Sequence, residues 1–186
     1  AELGAGVRPR LLVGFAAALR RSELVALTAT DVAFAAQGLV VTVRRSKTDQ
    51  EGAGRQIGIP PAQGPVCPVR ALRAWLATAA GLKRAGEPEP PAPLFRPIDR
   101  HGRLAPQALT GHAVAAIIKQ RAAAAGLDPA LFSGHSLRAG FCTAAARHGA
   151  PAWRIRQISG HQTHASLERY IRAGQLFDAH PLEGLL

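Results

Sequence analysis

Two histidines, a single tyrosine and a few arginines carry most of the chemistry that this sequence offers. His135 and Arg138 lie three apart in His135-Ser136-Leu137-Arg138, a spacing that makes side chains neighbours on one helical surface. Either Ser133 or Ser136 can cap that helix. Free N–H groups at its start, the helix dipole and a guanidinium together suit a phosphate. The second cluster is Ser159-Gly160-His161, followed nine residues later by Tyr170, the only tyrosine in the chain. One unbroken helix would set His161 and Tyr170 on opposite faces. Gly160 argues for a break, with His161 in the turn and Tyr170 on the next helix, both facing one cleft. Arg169 and Arg172 then flank the tyrosine toward an anionic backbone. In a third place, Arg20 and Arg21 end a strongly apolar helix, so one of them should approach the core. A buried guanidinium needs partners: Glu23 can orient Arg20, which leaves Arg21 to solvent. Finally, Lys47 occupies a polar hairpin tip from which a flexible amine can reach a ligand. Each cluster taken alone also has a plainer reading, as a solvated face, a core or rim tyrosine, a structural ion pair or a solvated lysine.

The elements that must position these residues follow from the apolar period. Helical spacing runs from 10 to 27, and Ser22 and Glu23 can restart a helix after the arginine pair, which predicts two helices meeting near Arg20. Segments 31–34, 39–43 and 55–59 are short and β-branched or apolar. They are separated by Gln37-Gly38 and by the polar stretch 46–54, and together predict a small antiparallel sheet. Pro65 and Pro68 lead into a helix over 69–79, after which the proline-rich stretch 81–97 reads as a surface connection, a loop or a hinge. A long Ala-rich helix is expected over 106–125, closed by Gly126. Three more helices are expected near 136–148, 151–159 and 163–171, with Gly149, Gly160 and Gly174 as stops. The fold class is therefore mainly α with a small antiparallel β-sheet, an α+β chain.

Length and composition narrow the function classes. A chain of 186 residues has room for one domain with a real core, and 47% hydrophobic against 19% charged residues excludes a disordered or fibrous chain. No apolar run nears the length that spans a bilayer, so no membrane partner is expected. Lys and Arg number 23 against 12 Asp and Glu, a formal charge of +11 that favours a polyanionic partner. All the basic residues but Lys47, Lys83 and Lys119 are Arg, as a GC-rich genome would produce, so part of the arginine content carries no functional message. From Arg103 to Gly174 nine basic residues face only Asp128 and Glu168, which marks this half as the polyanion face. Cys67 and Cys142 form no disulfide framework and no metal spacing, which points to a reducing cytosol. No Gly-rich nucleotide loop is present. The absence of methionine, even at residue 1, suggests a longer parent protein.

Taken in order, Ala18-Leu19-Arg20-Arg21-Ser22-Glu23-Leu24, the hairpin lysine, His135-Ser136-Leu137-Arg138, Ser159-Gly160-His161 and Tyr170 resemble the catalytic domain of the tyrosine recombinases, also called phage integrases. The resemblance runs from about Arg8 to Arg172. It implies the fold of that catalytic domain and a catalytic set of Arg20, Lys47, His135, Arg138, His161 and Tyr170, with Glu23 in support and Arg21, Arg169 and Arg172 toward DNA. It departs from the usual pattern at Ser159, commonly an apolar position, and at Ser166-Leu167, where hydroxyl residues are frequent.

The implied activity is site-specific recombination of double-stranded DNA. A phosphodiester is anionic and a poor electrophile, so the two guanidiniums would stabilise charge on the non-bridging oxygens of a pentacoordinate transition state. Tyr170 would attack, His135 would accept its proton and Lys47 would protonate the leaving 5′ oxygen. The product is a 3′-phosphotyrosyl link that another strand's 5′ hydroxyl can reverse, without metal or ATP. Type IB topoisomerase chemistry and a silent DNA-binding module are the alternatives. The resemblance also implies that residues 1–186 form a single catalytic domain, that the family's N-terminal clamp domain is missing from this chain, and that four protomers assemble on DNA. The apolar tail 173–186 is expected to pack in cis or to exchange in trans. The expected location is the cytoplasm, at the nucleoid.

Overall fold

The computed structural model describes residues 6–44, 54–82 and 91–174. Within them, α1 (Val7–Ala16) and α2 (Arg21–Ala26) precede three strands, β1 (Val32–Ala35), β2 (Gly38–Val43) and β3 (Arg55–Ile59). Five helices follow: α3 (Pro68–Gly81), α4 (Gly111–Ala124), α5 (Ser136–Arg147), α6 (Ala152–Ser159) and α7 (His164–Gly174). The predicted fold class is what the chain adopts.

The arginine pair sits where the apolar run breaks. Past α1 the backbone turns through Ala18, which is fully buried and has a φ of +50°. Ala18 N–H donates to the Phe15 carbonyl and Leu19 N–H to the Gly14 carbonyl, each at 2.9 Å, closing the last turn of α1 as a Schellman motif. Glycine is the usual residue there because a Cβ disfavours the left-handed region. An alanine held in it marks local strain two residues before Arg20. Arg20 is then the extended N-cap of α2, and Glu23 reaches back to accept its N–H at 2.9 Å.

The sheet is antiparallel in the order β1-β2-β3. Pairing of Val41 with Ile57 and of Leu39 with Ile59 sends one face of β2 and β3 into the core beside Leu72 and Trp75 of α3. A smaller cluster of Cys142, Ala146, Ile155 and Leu167 holds α5, α6 and α7 together, with Tyr170 packed at its side. Helices α1 and α5 join the two regions. They approach closely because Gly14 faces Leu137 and Gly140 faces Phe15, and a Cβ on Gly14 would lie 2.8 Å from the Leu137 side chain. Phe15 and Phe141 meet edge to face at 6.0 Å across the same seam.

Three expectations need correction. The stretch 91–97 is no surface connection: Leu94 and Phe95 are 3% and 2% exposed. Its backbone is tied in by Trp75 Nε1, which donates to the Leu94 carbonyl at 2.9 Å, and by Arg10 Nη2, which donates to the Arg96 carbonyl at 3.1 Å. Proline density signalled irregular backbone, and that backbone is buried because side chains satisfy its carbonyls. The long helix starts at Gly111 rather than 106, since Thr110 takes the N-cap and accepts the Ala113 N–H at 3.1 Å. The last helix runs on to Gly174, beyond 171. None of the described helices is long and apolar enough to cross a membrane.

Candidate active site

Around Glu23 the fold gathers guanidiniums from three distant parts of the chain. Glu23 is 3% exposed. Its Oε1 accepts from Arg20 Nη1 at 2.7 Å, and Arg55 Nη2 donates to Oε2 at 2.9 Å and Nη1 to Oε1 at 3.3 Å. Burial alone would raise the Glu23 carboxyl, but the bonds and charge of Arg55, together with Arg20, outweigh it and hold the group below the usual carboxylate range. Arg138 completes the set from α5, 4% exposed, with Nη1 donating to the Ala18 carbonyl at 3.1 Å and to the Ser159 carbonyl. Burial, assisted by repulsion from Arg20, lowers its pKa to about 10. The strained turn at Ala18 thus serves both arginines: it delivers Arg20 to α2 and aims a carbonyl at Arg138.

His161 and Tyr170 complete the cluster. Gly160 ends α6 in a left-handed conformation with φ of +67°, so His161 lies in the turn and Tyr170 on α7, as the glycine predicted. Their ring centres are 5.9 Å apart. Arg20 Nη2 reaches the Gly160 carbonyl at 3.5 Å, which brings the first arginine to the same turn. Arg169 lies over the Tyr170 ring at 4.6 Å and donates to its hydroxyl at 2.5 Å. Arg172 instead pairs with Glu168 at 2.5 Å and stays exposed.

Ser159, which looked like a departure from an apolar position, is fully buried and shares a 2.7 Å hydrogen bond with His161 Nδ1. Burial, then the charges of Arg138, Arg20, Arg169 and Arg55, push the His161 pKa down to about 4. At neutral pH the ring is therefore uncharged. If Ser159 donates to Nδ1, the ring carries its proton on Nε2, where it can serve a ligand. Folded His161 binds fewer protons than the unfolded chain between pH 6.5 and about 4, so stability should fall as pH falls through that window. His161→Gln should flatten the dependence of the melting temperature on pH there. An equal slope in both proteins would show that His161 titrates normally.

The remaining predicted residues divide. His135 is the N-cap of α5 and exposed, one turn before the buried Arg138, so the pair shares a helix start but not an environment. Neither serine caps α5 directly; Ser133 Oγ accepts the His135 N–H at 3.2 Å and Ser136 Oγ the Ser133 N–H at 2.8 Å. Arg21 is exposed as expected, while its stem lies where a Cβ on Gly134 would fall 2.6 Å from Cδ. Lys47 and the tail 175–186 lie outside the described residues. Sequence reasoning missed Arg55. A signal existed, because Arg55 alternates with the buried Ile57 and Ile59 and so points inward with them.

Two guanidiniums sharing one carboxylate, a third buried close enough to feel their charges, and a neutral imidazole and a phenol beside them form a site short of negative charge. Such a site can bind a phosphate diester, stabilise a more negative phosphorane and offer an oxygen nucleophile.

The family model of the phage integrase family matches residues 5–175. The chain is 43% identical over 175 residues to an integrase/recombinase xerD homolog of Selenomonas ruminantium, covering 92% of this chain and 49% of that protein. It is 31% identical over 172 residues to the tyrosine recombinase XerD of Xanthomonas axonopodis pv. citri (strain 306), covering 89% and 51%. The chain thus spans about half the length of these curated relatives. In fold it resembles the XerH site-specific recombinase, crystallised on its palindromic difH substrate as a post-cleavage complex, with a TM-score of 0.70. Identity there is 18%, over 100% of this chain and 46% of that one.

Proposed function

Since this chain belongs to the phage integrase family, we propose that it is the catalytic part of a site-specific DNA recombinase that cuts and rejoins strands through Tyr170. The observation that carries this reading is the pair Arg20 and Arg55 on Glu23, with buried Arg138, His161 and Tyr170 gathered beside them. A solvated structural ion-pair network has no need of excess buried positive charge, whereas a phosphodiester supplies the missing anion. Arg20 and Arg138 hold the non-bridging oxygens, and neutral His161 donates to one of them. The Tyr170 oxygen bonds to phosphorus as its proton passes to a base, for which His135 is assigned. The bond to the 5′ oxygen breaks, and that oxygen takes a proton from Lys47. The 3′-phosphotyrosyl ester keeps the energy of the bond it replaces, so a 5′ hydroxyl from a second strand can close it again.

Exchange between two duplexes needs four such sites, and we assign the assembly on DNA to four protomers, with the apolar tail 173–186 docking on a neighbour. Residues 1–186 act in this reading as the catalytic unit, located with DNA at the nucleoid in the cytoplasm. The test is to incubate the full-length protein with DNA of its source organism, denature, and sequence the ends of any DNA still attached. Adducts at one defined sequence are expected. Scattered adducts would favour a topoisomerase-type activity, and salt-sensitive binding without any adduct would leave a DNA-binding module.

A further inference from the structure

Arg55 opens β3, opposite Val43 at the end of the β2–β3 pair where the chain passes from one strand to the other, and its side chain leaves the sheet on the inward side. Both its terminal nitrogens go to the two oxygens of Glu23, a fork that only arginine can supply. Its other side rests on Gly160. A Cβ there would lie 2.9 Å from Arg55 Nη1 and 3.0 Å from Cζ, so the guanidinium fills the space that a larger residue before His161 would take. Arg20 is held by the same two neighbours, Glu23 at 2.7 Å and the Gly160 carbonyl at 3.5 Å. The two arginines therefore form one closed unit with a carboxylate and a backbone turn, joining α2, β3 and the α6–α7 corner. Both oxygens of Glu23 take the Arg55 fork and its other side is filled by the Gly160 turn, so the groups that Arg55 meets directly are the two that hold Arg20.

We propose that Arg55 is a positioning residue for strand cleavage: it locks Glu23 and the Gly160 turn so that Arg20 and His161 meet the phosphate at one fixed geometry. This deepens the strand-cleavage reading and rests on it. It also makes the β2–β3 hairpin part of the active centre through β3 itself, apart from any residue at the hairpin tip.

The test uses the full-length protein and a duplex carrying the sequence recovered from the adducts, under single-turnover conditions. Arg55→Met should slow formation of the Tyr170–DNA bond about 100-fold, the size expected when a catalytic group is misplaced by an ångström. The Kd for the duplex should stay within about three-fold, because Arg55 is not a phosphate contact. Arg55→Lys keeps the charge and loses the fork, so it should recover less than about a tenth of the rate. Combined with Glu23→Gln, Arg55→Met should slow the reaction no more than the slower single variant, because both act on the same unit. Full rate in Arg55→Met or Arg55→Lys, a loss carried by Kd alone, or losses that multiply in the double variant would each overturn the proposal. If Arg55→Met does not fold, the Arg55→Lys rate decides. Wild-type adducts with an unaffected Arg55 variant would sink only this proposal; no wild-type adduct would sink the cleavage reading with it.

Discussion

Tyr170→Phe should reduce covalent protein–DNA adducts to background, a loss of about four orders of magnitude or more, as removal of a nucleophile does. The variant keeps the ring that packs against the α5–α7 cluster and loses only the hydroxyl contact of Arg169 at the surface. Its unfolding free energy should therefore change by no more than about 0.5 kcal/mol, and its DNA binding by no more than a few-fold. Two assays on one preparation check this: gel-resolved adduct after denaturation, and equilibrium binding to the same duplex. Adduct from Tyr170→Phe would assign the nucleophile to another residue and overturn the mechanism. Loss of binding together with adduct would instead mean that the phenol holds the DNA.

Arg138→Met is expected to lower the cleavage rate about 10²- to 10³-fold, the range found when one preorganised donor is taken from a developing oxyanion. Stability should not follow in proportion. Arg138 donates to the Ala18 and Ser159 carbonyls, and losing those bonds costs roughly 1–3 kcal/mol. Against this, the same guanidinium is buried, is repelled by Arg20, and has its pKa lowered to about 10 by that environment. A neutral side chain of similar length relieves that repulsion, so the two terms offset and the net change should stay within about 2 kcal/mol. Denaturant unfolding beside single-turnover cleavage separates the two. A variant as active as wild type would remove Arg138 from the chemistry. One that is inactive only because it is unfolded would make it a structural residue.

Much of the architecture could be read from local pattern. The break near Arg20, the three strands, the helix after Pro68 and the glycine stop before His161 all lie where apolar period and punctuation put them. Two of the three misreadings share a cause. The stretch 91–97 and the start of α4 depend on where buried backbone groups find partners, and those partners come from elsewhere in the chain: Trp75 for Leu94, Arg10 for Arg96, and Phe95 for Leu109.

The same division holds at the site. Residue types and short spacings by themselves pointed to a phosphate-directed set, and they determined that His161 and Tyr170 belong to a turn and the helix after it, because a helix cap and a helical period act over a few residues. Only the tertiary structure decided that Arg55 joins Glu23 across 32 residues, that Arg138 is buried while His135 at the same helix start is exposed, and that Ser159 is fully buried where it bonds His161. A buried charge is tolerated only where packing brings it donors or acceptors, and packing is settled by the whole chain rather than by its neighbours in sequence.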